Sequence, residues 1–322
     1  MDDIFRGDFD FNRVALETFN LQAKENEVYS RYLQYLNIRQ EQVADIHQIP
    51  FLPIRLFKSF DIITGLPNSK AMHFVSSGTT GDIPSKHIVK DITLYEQSFT
   101  AAFNHFYGDI GQWCILALLP SYLERQGSSL VYMCDRLIKL SNHPQSGFYL
   151  HNYAKLHETL KQMESNRQKT LLIGVSYALL DLAEQFPLSL QHTVVMETGG
   201  MKGKRPEMVK AELHEVLKRA YNVNVIHSEY GMTELLSQAY SKGHGVYHCP
   251  PWMKILIRDG NDPLSLNQTS KAGGINVIDL ANRNSCSFIA TQDMGRLYSD
   301  GSFEIAGRFD DSEIRGCNLM VE

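Results

Sequence analysis

The chain has 322 residues, 43% of them hydrophobic and 21% charged, which is enough apolar surface for one large or two closely packed globular domains and excludes a disordered chain. Its formal charge is −5 and no basic run occurs, so the electrostatic footprint of a dedicated nucleic-acid binder is missing. No apolar stretch approaches the roughly 20 residues of a membrane helix, and the longest, Trp113 to Leu119, is strand-sized.

The first residues, Met-Asp-Asp-Ile-Phe-Arg, carry acids where a secretory signal has a basic region. The five cysteines, Cys114, Cys134, Cys249, Cys286 and Cys317, are odd in number, widely spaced and free of any CxxC pair. Both features predict a cytoplasmic protein with reduced thiols.

In chain order, Phe11, Val14, Ala15, Phe19, Val28, Tyr29, Tyr32, Leu33 and Leu36 recur at helical spacing, predicting an amphipathic helical cap over residues 1–48. Ile49-Pro50-Phe51-Leu52-Pro53 cannot continue a helix and reads as an extended connection. Strands then alternate with helices: strand 113–119, helix 129–140, strand 147–150, helix 153–164, strand 170–174, helix 177–185, strand 193–197, helix 206–220 and strand 223–227. That order predicts an α/β layered fold with largely parallel strands over about 49–245. From Val246 to about 306 the pattern is strands only, with turn signals at Asp259-Gly260, Gly273-Gly274 and Asp300-Gly301, and predicts a β-rich subdomain packed on the first.

Three segments carry candidate chemistry. Ser76-Ser77-Gly78-Thr79-Thr80-Gly81, with Lys86 following, combines flexible glycines, hydroxyl donors and a cation, the equipment for holding polyphosphate; it lacks the Gly-Lys-Ser/Thr ending of a Walker loop, and a solvated turn has the same composition. Glu229-Tyr230-Gly231-Met232-Thr233-Glu234 follows an apolar run, at a strand end where open α/β sheets bind ligands; Tyr230 there suits a base and Glu234 a divalent cation, though a core tyrosine and a surface acid would read alike. Thr291-Gln292-Asp293 and Gly307-Arg308-Phe309-Asp310-Asp311 flank an Asp-Gly hairpin and cluster opposite charges around it.

In this order and spacing the three segments resemble the adenylate-forming superfamily of acyl-activating ligases, whose loops have the forms SSGTTG, YGxTE and D-x-G followed by GRxDD. Residues 49–53, 119–130 and Thr198-Gly199-Gly200-Met201-Lys202-Gly203 look like its acyl-protein synthetase (LuxE-like) branch, which includes the long-chain-fatty-acid ligase of bacterial bioluminescence operons. The resemblance implies an adenylate-forming large domain over 1–306, with 307–322 a hinge remnant and tail, and no small lid domain bearing the catalytic lysine before the chain ends. It further implies that Ser76 through Gly81 close on the β- and γ-phosphates of ATP, with Lys86 a charge partner. Gly199 and Gly200 would line the adenine pocket, Tyr230 would stack on the base beside Gly231, Thr233 would reach the phosphates, and Glu234 would hold Mg2+. Asp293 would bind the ribose hydroxyls and Arg308 the ribose or phosphate, although Thr-Gln-Asp stands here where many relatives have Thr-Gly-Asp.

The implied activity is ATP-dependent activation of a carboxylic acid, fatty by resemblance, as acyl-AMP, followed by transfer to a thiol and on to a partner protein. Cys317, near the C-terminus, is the candidate acceptor: it lies seven residues past Asp310, so an extended arm reaches roughly 23–25 Å. Transfer to coenzyme A or a carrier protein, with Cys317 incidental, is the alternative within enzymes, and a non-catalytic nucleotide-binding subunit is the alternative outside them. His227 is a candidate base for the thiol. His244, His248 and Cys249 lie close in sequence but lack a fourth ligand at zinc spacing.

Overall fold

The computed structural model describes residues 3–66, 70–76, 83–120, 127–200, 205–206, 208–266 and 271–309. The chain opens with helices α1 (Phe11–Glu25) and α2 (Glu27–Tyr35), followed by a short strand β1 (Leu52–Pro53) and a hairpin of β2 (Met72–Val75) and β3 (Lys86–Val89). Helix α3 (Ile92–Tyr107) leads into the alternating region: β4 (Cys114–Leu118), α4 (Ser129–Ser141), β5 (Gly147–Phe148), α5 (Tyr153–Ser165), β6 (Thr170–Gly174), α6 (Ser176–Gln185), β7 (Thr193–Glu197), α7 (Lys210–Tyr221) and β8 (His227–Tyr230). Strands alone follow: β9 (Ala239–Ser241), β10 (Val246–His248), β11 (Met253–Arg258), β12 (Gly273–Asp279), β13 (Phe288–Leu297) and β14 (Phe303–Arg308). The α/β class expected from the alternation is the observed one.

One sheet runs β11-β12-β13-β14-β10-β9-β8-β7-β6-β4-β5, with β1 added beside β13. Strands β5, β4, β6, β7 and β8 are parallel. From β8 through β9, β10, β14, β13 and β12 to β11 every pairing is antiparallel. The α/β part and the β-rich part therefore share one hydrogen-bonded sheet, and β8 is the strand where its sense reverses. Every residue of β4 and β6 is buried, as parallel strands covered on both faces require.

Most elements of the alternation lie within two residues of the sequence reading; α7 begins four residues later than the helix read at 206–220, and three further features differ. The helical cap is two helices, because Asn26 ends α1 and begins α2: its backbone N–H donates to Gln22 O, while its side chain accepts from Tyr29 N at 3.0 Å. That side chain is fully buried and also donates to Ser285 O at 2.8 Å, a bond to the far end of the chain that no local pattern encodes. The strand read at 223–227 lies instead at His227–Tyr230, so Glu229 and Tyr230 are strand residues and the loop begins at Gly231. Gly273-Gly274 is not a turn but the start of β12: a Cβ on Gly274 would collide with the buried Arg258 guanidinium, which donates to Ile275 O at 2.9 Å.

Replacing the shared cap, Asn26→Ala, leaves the α2 N-terminus uncapped and removes one of the two donors to Ser285 O, Thr64 Oγ1 at 2.6 Å being the other, and should cost about 1–2 kcal/mol. Urea denaturation measures it; a loss below about 0.5 kcal/mol would mean that water repairs the junction.

Candidate functional site

A cleft of about 350 Å³ opens beside the carboxyl ends of the parallel strands. Its wall on the strand side is Thr198, Gly199 and Gly200 after β7, Glu229 of β8, and Gly231, Met232 and Thr233 after β8. Val75 of β2, Tyr95 of α3, Ser129 and Met133 of α4, and Val175 close the other side, and Arg308 of β14 stands at the rim. Open α/β sheets bind ligands at such strand ends because the diverging loops leave a crevice there.

The turn after β8 is held from below by buried polar groups. Asp279, fully buried at the end of β12, accepts from Leu236 N at 2.8 Å, Ser237 N at 3.0 Å and Ser237 Oγ at 2.6 Å. Asn282 donates to Glu234 O at 2.7 Å, and His87 of β3 meets Thr233 O through Nδ1 at 2.8 Å. Burial pushes the His87 imidazole down to about 4, so the ring is neutral, and its two nitrogens face the oxygens Thr233 O and Asn282 Oδ1. The carbonyls of Thr233 and Glu234 are thereby fixed, which orients the two side chains.

The loop after β7 is fixed by charge. Glu197, 1% exposed, accepts from Gly199 N at 2.7 Å and pairs with Lys210 Nζ of α7 at 2.8 Å, while Lys210 also donates to Tyr247 Oη. Burial raises the Glu197 carboxyl, but His214 and Lys210 outweigh it and hold the group down at about 2. Gly199 and Gly200 have φ of 76° and 89°, in the left-handed region that favours glycine, so this loop offers bare backbone to the cleft.

At the rim, Asp293 of β13 faces Arg308 of β14 in register, with Arg308 Nε at 3.4 Å from Asp293 Oδ1. Tyr230 donates from its hydroxyl to Asp293 Oδ2 at 2.8 Å. Its ring is buried and packs edge-on against Phe303, with centroids 5.6 Å apart. Tyr230 thus supports the Asp293 carboxylate from beneath. Burial raises the Asp293 carboxyl, with the Tyr230 hydrogen bond and Arg308 opposing it.

Glu234 is 5% exposed, and its carboxyl is raised by burial against a hydrogen bond from Ser85 and the charge of Arg308. Among the described residues no group of three or more His, Cys, Asp or Glu side chains is placed to hold a metal, and His244, His248 and Cys249 form no such group. A single carboxylate is nevertheless the kind of protein ligand that magnesium takes when phosphate oxygens and water complete its octahedron.

Several sequence-predicted residues stand apart from the cleft. Lys86 begins β3 and pairs with Asp61 at 2.6 Å. Ser76 marks the base of the Ser/Thr/Gly loop: its N–H donates to Ser85 O at 3.0 Å and its Oγ accepts from Ser85 N at 2.8 Å. Ser77, Gly78, Thr79, Thr80 and Gly81 lie outside the described residues, as do Asp310 and Cys317. His227 contacts Tyr107 Oη at 3.1 Å, and burial pushes it down to about 4, with Lys242 adding to the effect. Sequence reasoning missed Glu197, Lys210, Gln238 and the role of Glu229; the signal for two of them was an acid one residue short of a glycine pair and an acid directly before Tyr-Gly.

No protein-family model matches the sequence, and no curated protein matches it. Solved structures do. An open conformation of 2-hydroxyisobutyryl-CoA ligase in complex with 2-HIB-AMP and CoA aligns with a TM-score of 0.62 and 11% identity over 93% of this chain and 74% of that one. ATP-bound MatB from Rhodopseudomonas palustris aligns at 0.54 with 15% identity over 73% and 47% of the two chains. O-succinylbenzoate coenzyme A synthetase from Bacillus subtilis, in complex with AMP, aligns at 0.51 with 16% identity over 73% and 49%. The chain spans about half the length of the MatB structures it matches. Among the described residues no helix is long and apolar enough to cross a membrane.

Removing the carboxylate behind the glycine pair, Glu197→Ala, leaves the Gly199 N–H without its acceptor and the half-exposed Lys210 without its counter-charge, and should cost about 1–3 kcal/mol, whereas Glu197→Leu combined with Lys210→Met should recover most of it. Denaturant titration of the three proteins checks this; equal stability of the single and double variants would refute a coupled pair. Because the Glu197 carboxyl is held below its ordinary value of 4.5, its contribution is present above that pH and is lost as pH falls toward about 2. The chain has the large-domain fold of the adenylate-forming ligases, a central mixed sheet flanked by helices with the cleft at its parallel strand ends.

Proposed function

We propose that the protein activates a carboxylic acid with ATP, forming acyl-AMP and pyrophosphate, and passes the acyl group to a thiol. The observation that carries this reading is the meeting of three distant segments, Thr198–Gly200, Gly231–Thr233 and Arg308, around one cleft. Those segments also contain the residues through which the sequence resembles acyl-activating ligases.

In this reading the bare backbone of Gly199 and Gly200 lies along the adenine, and the Asp293 carboxylate, steadied by Tyr230, accepts from the ribose hydroxyls. Thr233 and the loop from Ser76 through Gly81 donate to the phosphates, and Arg308 compensates their charge from the rim. Lys86 enters as a charge partner only by exchanging its bond to Asp61. Glu234 would be the protein ligand of Mg2+, whose chemistry is to neutralise charge building on the departing pyrophosphate. The acid's carboxylate oxygen attacks the α-phosphorus and the bond to the β-phosphate oxygen breaks.

A thiolate then attacks the acyl carbon and AMP leaves. Cys317 is our candidate for that thiol, with onward delivery to a protein partner. Delivery to coenzyme A is the second reading, favoured by the 2-hydroxyisobutyryl-CoA ligase complex, which holds CoA. His227, partly buried, lowered to about 4 by desolvation and Lys242 and already bonded to Tyr107, is too weak a base for the thiol in either case.

Intact-protein mass spectrometry after incubation with ATP, magnesium and a panel of carboxylic acids tests the sequence of events. A hydroxylamine-labile adduct on the wild type, absent from Cys317→Ser, is the expected result. Pyrophosphate release without any adduct would retain activation and move the acceptor to another molecule. ATP binding without pyrophosphate release for any acid would overturn the enzymatic reading.

A further inference from the structure

Two polar side chains of the cleft carry oxygens to which no side chain among the described residues donates. Gln238, 4% exposed, lines it, and its buried Oε1 meets no hydrogen-bond donor. Glu229 lines it too, and no side chain among the described residues donates to its carboxyl. Both pack over Gly231: a Cβ there would overlap Glu229 Oε1 and come within 3.3 Å of Gln238 Cγ. The glycine therefore lets the two approach, and an orphaned buried acceptor is destabilising in a way that packing alone does not repay.

Within the cleft they sit toward the helices rather than at the charged rim. Asp293 and Arg308 stand at the β13–β14 rim, while Glu229 faces the helices: its charge bears on Tyr95 and Tyr107 of α3, Cys134 of α4 and Tyr240 of β9. On the other side it faces Glu197 of β7 and Lys210 of α7. Burial and the ionised Glu197 push its carboxyl up to about 8 against the pull of Lys210, so at neutral pH it carries a proton and donates. One donor and one acceptor thus converge over Gly231 in the cleft.

We propose that Glu229 and Gln238 form the specificity site for the acyl part of the substrate, and that they select a hydroxy acid: the substrate hydroxyl accepts from Glu229 and donates to Gln238 Oε1. This rests on the carboxylate-activation reading and narrows it away from a plain alkyl chain. An alkyl acid would leave both groups desolvated and unpaired, which is the situation that lets a site reject an analogue strongly.

The test is ATP–pyrophosphate exchange with pairs of acids of equal chain length, one hydroxylated along the chain and one not. The wild type should favour the best hydroxy acid by about tenfold or more in kcat/KM. Glu229→Leu and Gln238→Leu should each abolish that preference, while Glu229→Gln, which keeps a neutral donor, should retain it. Gln238→Leu should also match or exceed wild-type stability in denaturant, because it deletes an unpaired acceptor; a residue serving structure alone would lose stability. Alkyl acids used as well as or better than every hydroxylated counterpart, or equal losses for both classes in the leucine variants, would overturn the specificity site and leave activation standing. Exchange with no acid of either class would sink the activation reading and this one with it.

Discussion

The reversal of strand sense at β8 governs the rest of this structure. A strand paired in parallel on one side and antiparallel on the other must send its chain out beyond the sheet before β9 can return, and the excursion from Gly231 to Gln238 is that detour. Left alone, such a turn would expose backbone groups that water could satisfy only by loosening it. Asp279, Asn282 and His87 take those groups instead, drawing on β12, the turn after it and β3. The antiparallel half of the molecule thus serves as the mount for a loop that the parallel half begins.

A division of labour between charges follows from the same layout. Glu197 is ionised in the interior because Lys210 and His214 surround it, and that fixed negative charge, together with burial, keeps the proton on Glu229 one strand away. Two carboxyls on neighbouring strands are driven to opposite protonation states, one serving as an acceptor for loop backbone and the other as a donor into the cleft. Neither role is a property of glutamate alone.

The sequence revealed the class of the fold because buried parallel strands leave continuous apolar runs, and β6 and β7 stand where Thr170–Gly174 and Thr193–Glu197 predicted them. It did not reveal α3, whose aromatic-rich stretch precedes the first strand of the alternation, nor the start of β8, whose apolar approach is not itself paired. Gly273-Gly274 read as a turn because glycine signals both loops and close approaches, and only the position of Arg258 distinguishes them. The cleft residues Gly199, Gly231, Thr233 and Arg308 were legible from their motifs. The braces beneath them were not, since Glu197, Asp279 and His87 are single residues whose partners lie on other elements.

The N-terminal helices are tied to residues made near the other end of the chain. Gln22 accepts from Ser287 N at 2.9 Å across 265 positions, Asn26 donates to Ser285 O, and β1 joins the sheet only beside β13. During synthesis the first helices must leave the ribosome and wait, with buried amides still unmatched, until almost the whole sheet has been translated. The helices therefore dock only after β13 has been made, and a product that stops short of Ser285 leaves the Asn26 and Gln22 amides without their partners.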